Sequence, residues 1–197
     1  MNERTFHAHN AKMLDDPERL RWLPPDQVIQ RIGLRPGMAI ADVGAGTGYF
    51  ALPFSRVVGA DGSVHAVDFQ KGMLEHIRGK LNGDGDAANI SLVFGAAAAT
   101  NLPGKSVDLV FMANLWHELD DLSAVLAETA RILRKGGTLA VVDWRADLPS
   151  PPGPPSAHRV SVEALLQTLR SSGWKVEDSG NIGLYSHYVV ARLEPGA

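Results

Sequence analysis

Asp42, Gly44, Gly46, Gly48 and Asp68 are the residues whose types and spacing most directly suggest chemistry. Four of them fall in Asp42-Val43-Gly44-Ala45-Gly46-Thr47-Gly48, which follows a short apolar run and precedes a helical pattern. Three glycines at alternate positions let a chain turn tightly and approach a ligand that a Cβ would block. Asp42 stands two residues ahead of the first glycine, and Asp68 twenty residues past the last. That second interval suits a carboxylate that grips a ribose. The set predicts a site for a nucleoside-containing cofactor.

A second group, Asn114-Leu115-Trp116-His117-Glu118, follows the fourth predicted strand. Ligands of open α/β sheets bind at that edge. His117 is placed to take a proton from a hydroxyl, amine or ring nitrogen; capping a helix or bonding a carbonyl is the plainer role. Glu118 reads as a helix-start charge. Trp22, Trp116 and Trp144 suit either an apolar substrate wall or the core, and Arg145, His158 and Arg159 follow near the same edge. His7 and His9 form an H-x-H pair without a third ligand nearby, so a surface pair is expected rather than a metal site. The alternating acids of Asn82-Gly83-Asp84-Gly85-Asp86 lack a calcium loop's closing glutamate, since Ser91 stands there, and read as a surface loop.

These residues need a framework of alternating strands and helices. Strands are predicted over 38–42, 63–68, 90–94, 107–111 and 138–142. Helical spacing marks Met73, Leu74, Ile77 and Leu81, and again Leu122, Val125, Leu126, Thr129 and Leu133. Asp16-Pro17 reads as one helix start in the prelude, and Pro24-Pro25 opens a second that stops at Gly33. Arg134-Lys135 and then Gly136-Gly137 read as the end of the helix before the fifth strand. Alternation of this kind predicts a doubly wound parallel sheet. Prolines at 149, 151, 152, 154 and 155 exclude a sheet strand there and suggest a stiff crossover over the ligand face. After one more helix, two closing strands lie too close for a parallel crossover, so they form an antiparallel hairpin. One domain over 1–197 is expected: a helical lid at 1–33, a cofactor-binding core at 34–146, and the crossover, helix and hairpin at 147–197.

A dinucleotide fingerprint G-x-G-x-x-G would need glycine at position 49, where Tyr49 stands. The acid-x-G-x-G-x-G pattern instead resembles the first motif of class I S-adenosylmethionine (SAM)-dependent methyltransferases. The ubiquinone/menaquinone-biosynthesis subgroup is the most similar, through 42–48, Val67-Asp68, Leu102-Pro103, Val107-Asp108-Leu109-Val110 and Arg131-Ile132-Leu133-Arg134-Lys135-Gly136-Gly137. The resemblance covers the chain from Leu34 onward. It implies a Rossmann-like, doubly wound seven-stranded sheet, mostly parallel with an antiparallel C-terminal hairpin. It also implies SAM as cofactor and S-adenosylhomocysteine as product. The expected cofactor contacts are Asp42, Gly44, Ala45, Gly46, Gly48, Tyr49, Asp68, Phe69, Met73, Ala96, Ala97, Asn114 and Leu115. His117 is the catalytic candidate, and His7, Trp116, Trp144 and Arg145 are the substrate candidates. One departure stands out: Gly95-Ala96-Ala97-Ala98-Ala99 lacks the acid that accepts a hydrogen bond from the adenine amino group in that family.

The sequence has 197 residues, 45% hydrophobic and 21% charged, with net charge −3. One well-buried core is expected at this length, and the charge balance gives no case for nucleic acid or an anionic membrane. Zero cysteines exclude disulfides and thiolate chemistry, arsenite methylation included, and fit a reducing compartment. No signal peptide is visible, and no apolar run reaches the about 18 residues needed to span a membrane. A cytoplasmic enzyme, monomer or homodimer, acting on a small molecule is therefore expected. An NAD(P)-dependent oxidoreductase and a non-catalytic SAM-binding protein are the alternatives.

Overall fold

The computed structural model describes residues 8–82, 88–149 and 152–193, the side chains of 8–10 excepted. Seven strands form one sheet: β1 (Ala39–Val43), β2 (Ser63–Asp68), β3 (Ile90–Phe94), β4 (Val107–Ala113), β5 (Leu133–Trp144), β6 (Trp174–Ile182) and β7 (Ser186–Leu193). Their order is β3-β2-β1-β4-β5-β7-β6. β7 alone runs against its neighbours, pairing antiparallel with both β5 and β6. The three residues 183–185 between β6 and β7 are too few for a crossover, which forces this reversal. The chain leaves β1 in one direction to β2 and later returns to its other side as β4. The crevice at that reversal is where ligands of such sheets bind.

Both faces of the sheet are covered, so the strands are apolar on both sides. Ile40, Val64, Leu109, Phe111 and Val142 pack under α2 (Pro25–Ile32), α3 (Ala51–Val58) and α4 (Lys71–Leu81). Ala41, Val67, Val110, Met112 and Val141 pack under α5 (Leu122–Ile132) and α6 (Val162–Ser171). Phe111 of β4 meets Phe50 and Phe54 with ring centroids 4.9 Å apart in each case. These edge-on contacts seat the helix after the glycine turn against the strand that carries the second group.

α2 starts with Pro25 in its first turn and stops at Gly33 in a left-handed conformation, as its sequence predicts. The prelude departs from expectation. A 3-10 segment spans Ala8–Asp15, and α1 is only Arg19–Trp22. Asp16 serves its start, accepting from the Glu18 backbone at 2.9 Å, while Pro24-Pro25 prevents extension. The end of α5 is a second departure. The helix stops at Ile132, and 133–137 already belong to β5. The carbonyls of Arg131 and Ile132 accept from the amides of Lys105 and Ser106 at 2.9 and 2.8 Å. Arg134 then reaches Asp108 of β4 at 2.8 Å instead of capping the helix. Ladder hydrogen bonds thus take the chain before the glycines can. Of the 82–86 loop, 83–86 lie outside the described residues. No described helix is long and apolar enough to cross a membrane.

Candidate functional site

The glycine turn leaves β1 with its amides already committed. Gly44 and Ala45 donate to the Val67 carbonyl at 2.8 and 3.0 Å. The Asp68 carboxylate, at the end of β2, accepts from Gly46 N at 3.0 Å and from Gln70 N at 2.8 Å. A Cβ at Gly44 would stand 2.9 Å from Leu115 Cδ2, at a backbone φ of +73°. The glycine therefore lets the loop after β4 close against the turn.

Between these segments lies a cavity of about 390 Å³, within the range of small-molecule sites. Asp42, Gly44, Ala45, Gly46 and Tyr49 line it from the first strand and turn, and Asp68, Phe69 and Met73 from the second. Asn114, Leu115 and His117 line it from the loop after β4, and Trp144 from β5. Ala96 and Ala97 line an adjoining cavity of about 280 Å³ that shares Asp68, Phe69, Leu115 and Glu118. The departure at 95–99 is thus borne on the cavity wall, with the acids Asp120 and Asp121 on the same wall.

Three expected residues are placed elsewhere. Gly48 faces α4, where an added Cβ would meet Ile77 at 3.2 Å. Trp116 is 1% exposed and packs in the core on the α5–α6 face. The 3-10 segment Trp116–Glu118 sends the indole inward while its two neighbours line the cavity. Arg145 turns to Asp147 at 2.6 Å and does not line the cavity. His7 lies outside the described residues, as does the side chain of His9.

Sequence reasoning missed Arg19. Its guanidinium lies 4.0 Å from the centroid of the Tyr49 ring, donates to Leu14 O at 3.2 Å, and lines the cavity at 6% exposure. Arg19 Nε, Asp42 Oδ2 and Asn114 Oδ1 are all buried without a hydrogen-bond partner. Burial lowers the Arg19 pKa to about 10, against the opposing pull of Tyr49, Asp42 and Asp15. Burial, then the charge of Asp68, pushes Asp42 up to about 7, while Arg19 and the Ala51 amide pull it down. Asp68 is likewise raised by burial and held back by its bonds from Gln70 and Gly46. One cation and one acid thus face the same cavity with unused polar atoms. Nothing in a four-residue helix signals this arrangement.

Asp143 was also missed, since it sits within the apolar run of β5. It is fully buried, accepts the backbone N–H groups of His117 at 3.0 Å and Trp144 at 2.7 Å, and lies 2.8 Å from His117 Nδ1. A lone acid in a strand buried on both faces is a signal in itself, because it must find donors. His117 Nε2, on the other edge of the ring, is 4.0 Å from Glu118 Oε1.

Two segments cover the cavity. Met13, Leu14 and Arg19 approach from the N-terminal side, where Lys80 Nζ bonds Asp15 Oδ1 and Thr47 O at 2.7 Å each. Gly153 and Pro154 cross from the other side. Gly153, at φ +117°, passes so close that a Cβ would stand 2.7 Å from the Trp144 ring. Arg159 holds this crossing by donating to Pro154 O at 2.7 and 2.9 Å. Gly153 and Pro154 of the proline segment thus form part of the cavity wall. A larger, shallower groove of about 1120 Å³ lies at the opposite end of the strands, around Arg35, Asp108 and Lys135. Among the described residues, none with an unpartnered buried atom lines it, whereas Arg19, Asp42 and Asn114 line the smaller cavity.

A family described as "Methyltransferase domain" matches residues 40–137. The crystal structure of a SAM-dependent methyltransferase from Aquifex aeolicus is 32% identical, with a TM-score of 0.90 over 95% of this chain and 98% of that one. The ubiquinone/menaquinone biosynthesis C-methyltransferase of Shewanella halifaxensis is 34% identical over 116 residues, 59% of this chain and 46% of that protein. The chain thus spans about half the length of the curated relatives it matches. The [4+2]-cyclase SpnF, 17% identical, shares the fold with a TM-score of 0.74 over 87% of this chain and 80% of that one.

Proposed function

The chain belongs to the class I SAM-dependent methyltransferases, and we propose that it transfers the methyl group of SAM to a small-molecule acceptor. The observation that carries this reading is the cation and the acid beside the glycine turn. Arg19 Nε and Asp42 Oδ2 are buried, unpartnered and in one cavity. Buried charges of this kind demand a complement. The zwitterionic end of SAM supplies it: a carboxylate for Arg19 and an ammonium for Asp42. The pyrophosphate of a dinucleotide would instead meet Asp42 with like charge.

The other residues fit the rest of the cofactor. Asp68 has one bond on each carboxylate oxygen and retains lone pairs for ribose hydroxyls. Phe69, 40% exposed at the mouth of both cavities, offers a flat apolar surface to a base. When bound, SAM would supply a transferable methyl group on a positively charged sulfur, an electrophile for the acceptor's lone pair. What the chain contributes is alignment and exclusion of water. Trp144, Tyr49, Gly153 and Pro154 line the same cavity, and an acceptor held among them would be a compact molecule. A cytoplasmic setting goes with this reading, supported by a sequence without cysteine.

Calorimetric titration with SAM, S-adenosylhomocysteine and NAD tests the cofactor. Binding of the first two and not of NAD is expected; NAD binding without SAM binding overturns the proposal. Screening a metabolite library for methyl transfer from labelled SAM then identifies the acceptor.

A further inference from the structure

We propose that His117, positioned by Asp143, takes a proton from the acceptor, so that the acceptor is a weak acid bearing a hydroxyl, phenol or N–H group. This rests on the cofactor reading above and adds the chemical class of the substrate. An acceptor that is already nucleophilic, such as a thioether or tertiary amine, has no use for such a base.

Two backbone N–H groups donate to the Asp143 carboxylate, and His117 Nδ1 lies 2.8 Å from it; a carboxylate can only accept. Nδ1 of His117 must therefore carry its hydrogen, and in the neutral ring the lone pair lies on Nε2. The backbone N–H of the same histidine bonds the same carboxylate, so residue and ring are tethered together. Side-chain exposures of 4% for His117 and 1% for Asp143 keep water from competing. Nε2 lies on the Glu118 side, and both His117 and Glu118 line the cavity.

The other charged groups around this couple are identifiable. His187 stands directly opposite Asp143 in the β5–β7 ladder, with Glu163, Asp147 and Arg145 near it. Asp42, Asp68 and Arg19 line the same cavity as His117. In the step itself, the acceptor X–H gives its proton to Nε2, and the lone pair released on X forms the bond to the methyl carbon. The methyl–sulfur pair stays on sulfur, and the proton leaves Nε2 for solvent with the product. His117 is the catalytic residue in this scheme, and Asp143 is a positioning residue.

Side-chain ¹H–¹⁵N spectra of the histidines, with and without S-adenosylhomocysteine, test the couple without any acceptor. The neutral His117 ring should be protonated on Nδ1, and Asp143→Asn, which puts a donor among three donors, should move that proton to Nε2. His117→Gln should leave S-adenosylhomocysteine affinity within about twofold. With an acceptor from the screen, it should lower kcat by roughly 10²–10⁴ and remove the acid limb of the pH profile. If the protein binds S-adenosylhomocysteine but wild-type His117 carries its proton on Nε2, this inference fails alone. A best acceptor without a removable proton also overturns it. Failure to bind S-adenosylhomocysteine would sink the cofactor reading, while the spectra of the ligand-free protein still decide the couple.

Discussion

Cofactor affinity should rise with pH up to about 8, and Asp42 should be the main reason. Burial and the neighbouring Asp68 hold Asp42 at about 7, against an ordinary value of 3.8. Below pH 7 the ligand-free protein carries Asp42 mostly protonated, and a neutral carboxyl gives a ligand ammonium little. Binding that needs the carboxylate must then expel a proton, so affinity should increase by up to about tenfold per unit from pH 5 to 7. At higher pH the ligand's α-amino group loses its own proton and affinity should turn down. The same shift predicts the stability of the ligand-free protein. Because the folded value is raised, the contribution of Asp42 is fully present below about pH 4. It is lost as the pH rises through 7, to a total on the order of 4 kcal/mol. Calorimetry with S-adenosylhomocysteine from pH 5 to 9, in two buffers of different ionisation enthalpy, reads both the slope and the proton released. Asp42→Asn should flatten most of the acid limb, leaving the smaller part due to Asp68, which is also raised. The same variant should melt at a higher temperature than wild type at pH 8 without ligand. A flat profile in the wild type, or an unchanged slope in Asp42→Asn, would exclude Asp42 as the group whose ionisation controls binding.

Two further outcomes concern the turn. Asp68→Ala should weaken S-adenosylhomocysteine by tenfold or more, about 1.5–3 kcal/mol for hydrogen bonds to a charged group; unchanged affinity by calorimetry would remove Asp68 from the site. Gly44→Ala should destabilise the fold by roughly 1–3 kcal/mol through its positive φ and the 2.9 Å approach to Leu115. Denaturant unfolding checks this, and adding Leu115→Ala should recover only the part due to the clash.

Short-range chemistry is legible along the chain. The turn of Gly44 and Gly46, the stop at Gly33 and the acid at the end of β2 depend on backbone preferences within one strand-turn-helix unit. The reversal of β7 follows from the length of its connection. The proline count keeps 149–155 out of the sheet, whatever surrounds it. Tertiary structure decided the charges. Arg19 meets Asp42 and Tyr49 from a separate segment, and His117 meets Asp143 across 26 positions. Neighbouring residues were also separated by it: Trp116 went to the core and His117 to the cavity, because one 3-10 turn points them apart. The end of α5 was set by amides from Lys105 and Ser106 rather than by its own glycines. Local conformation is an energy of adjacent residues, so it can be read along the chain. The partner of a buried charge is set by which strands the hydrophobic core brings side by side, and that is known only once the core has formed.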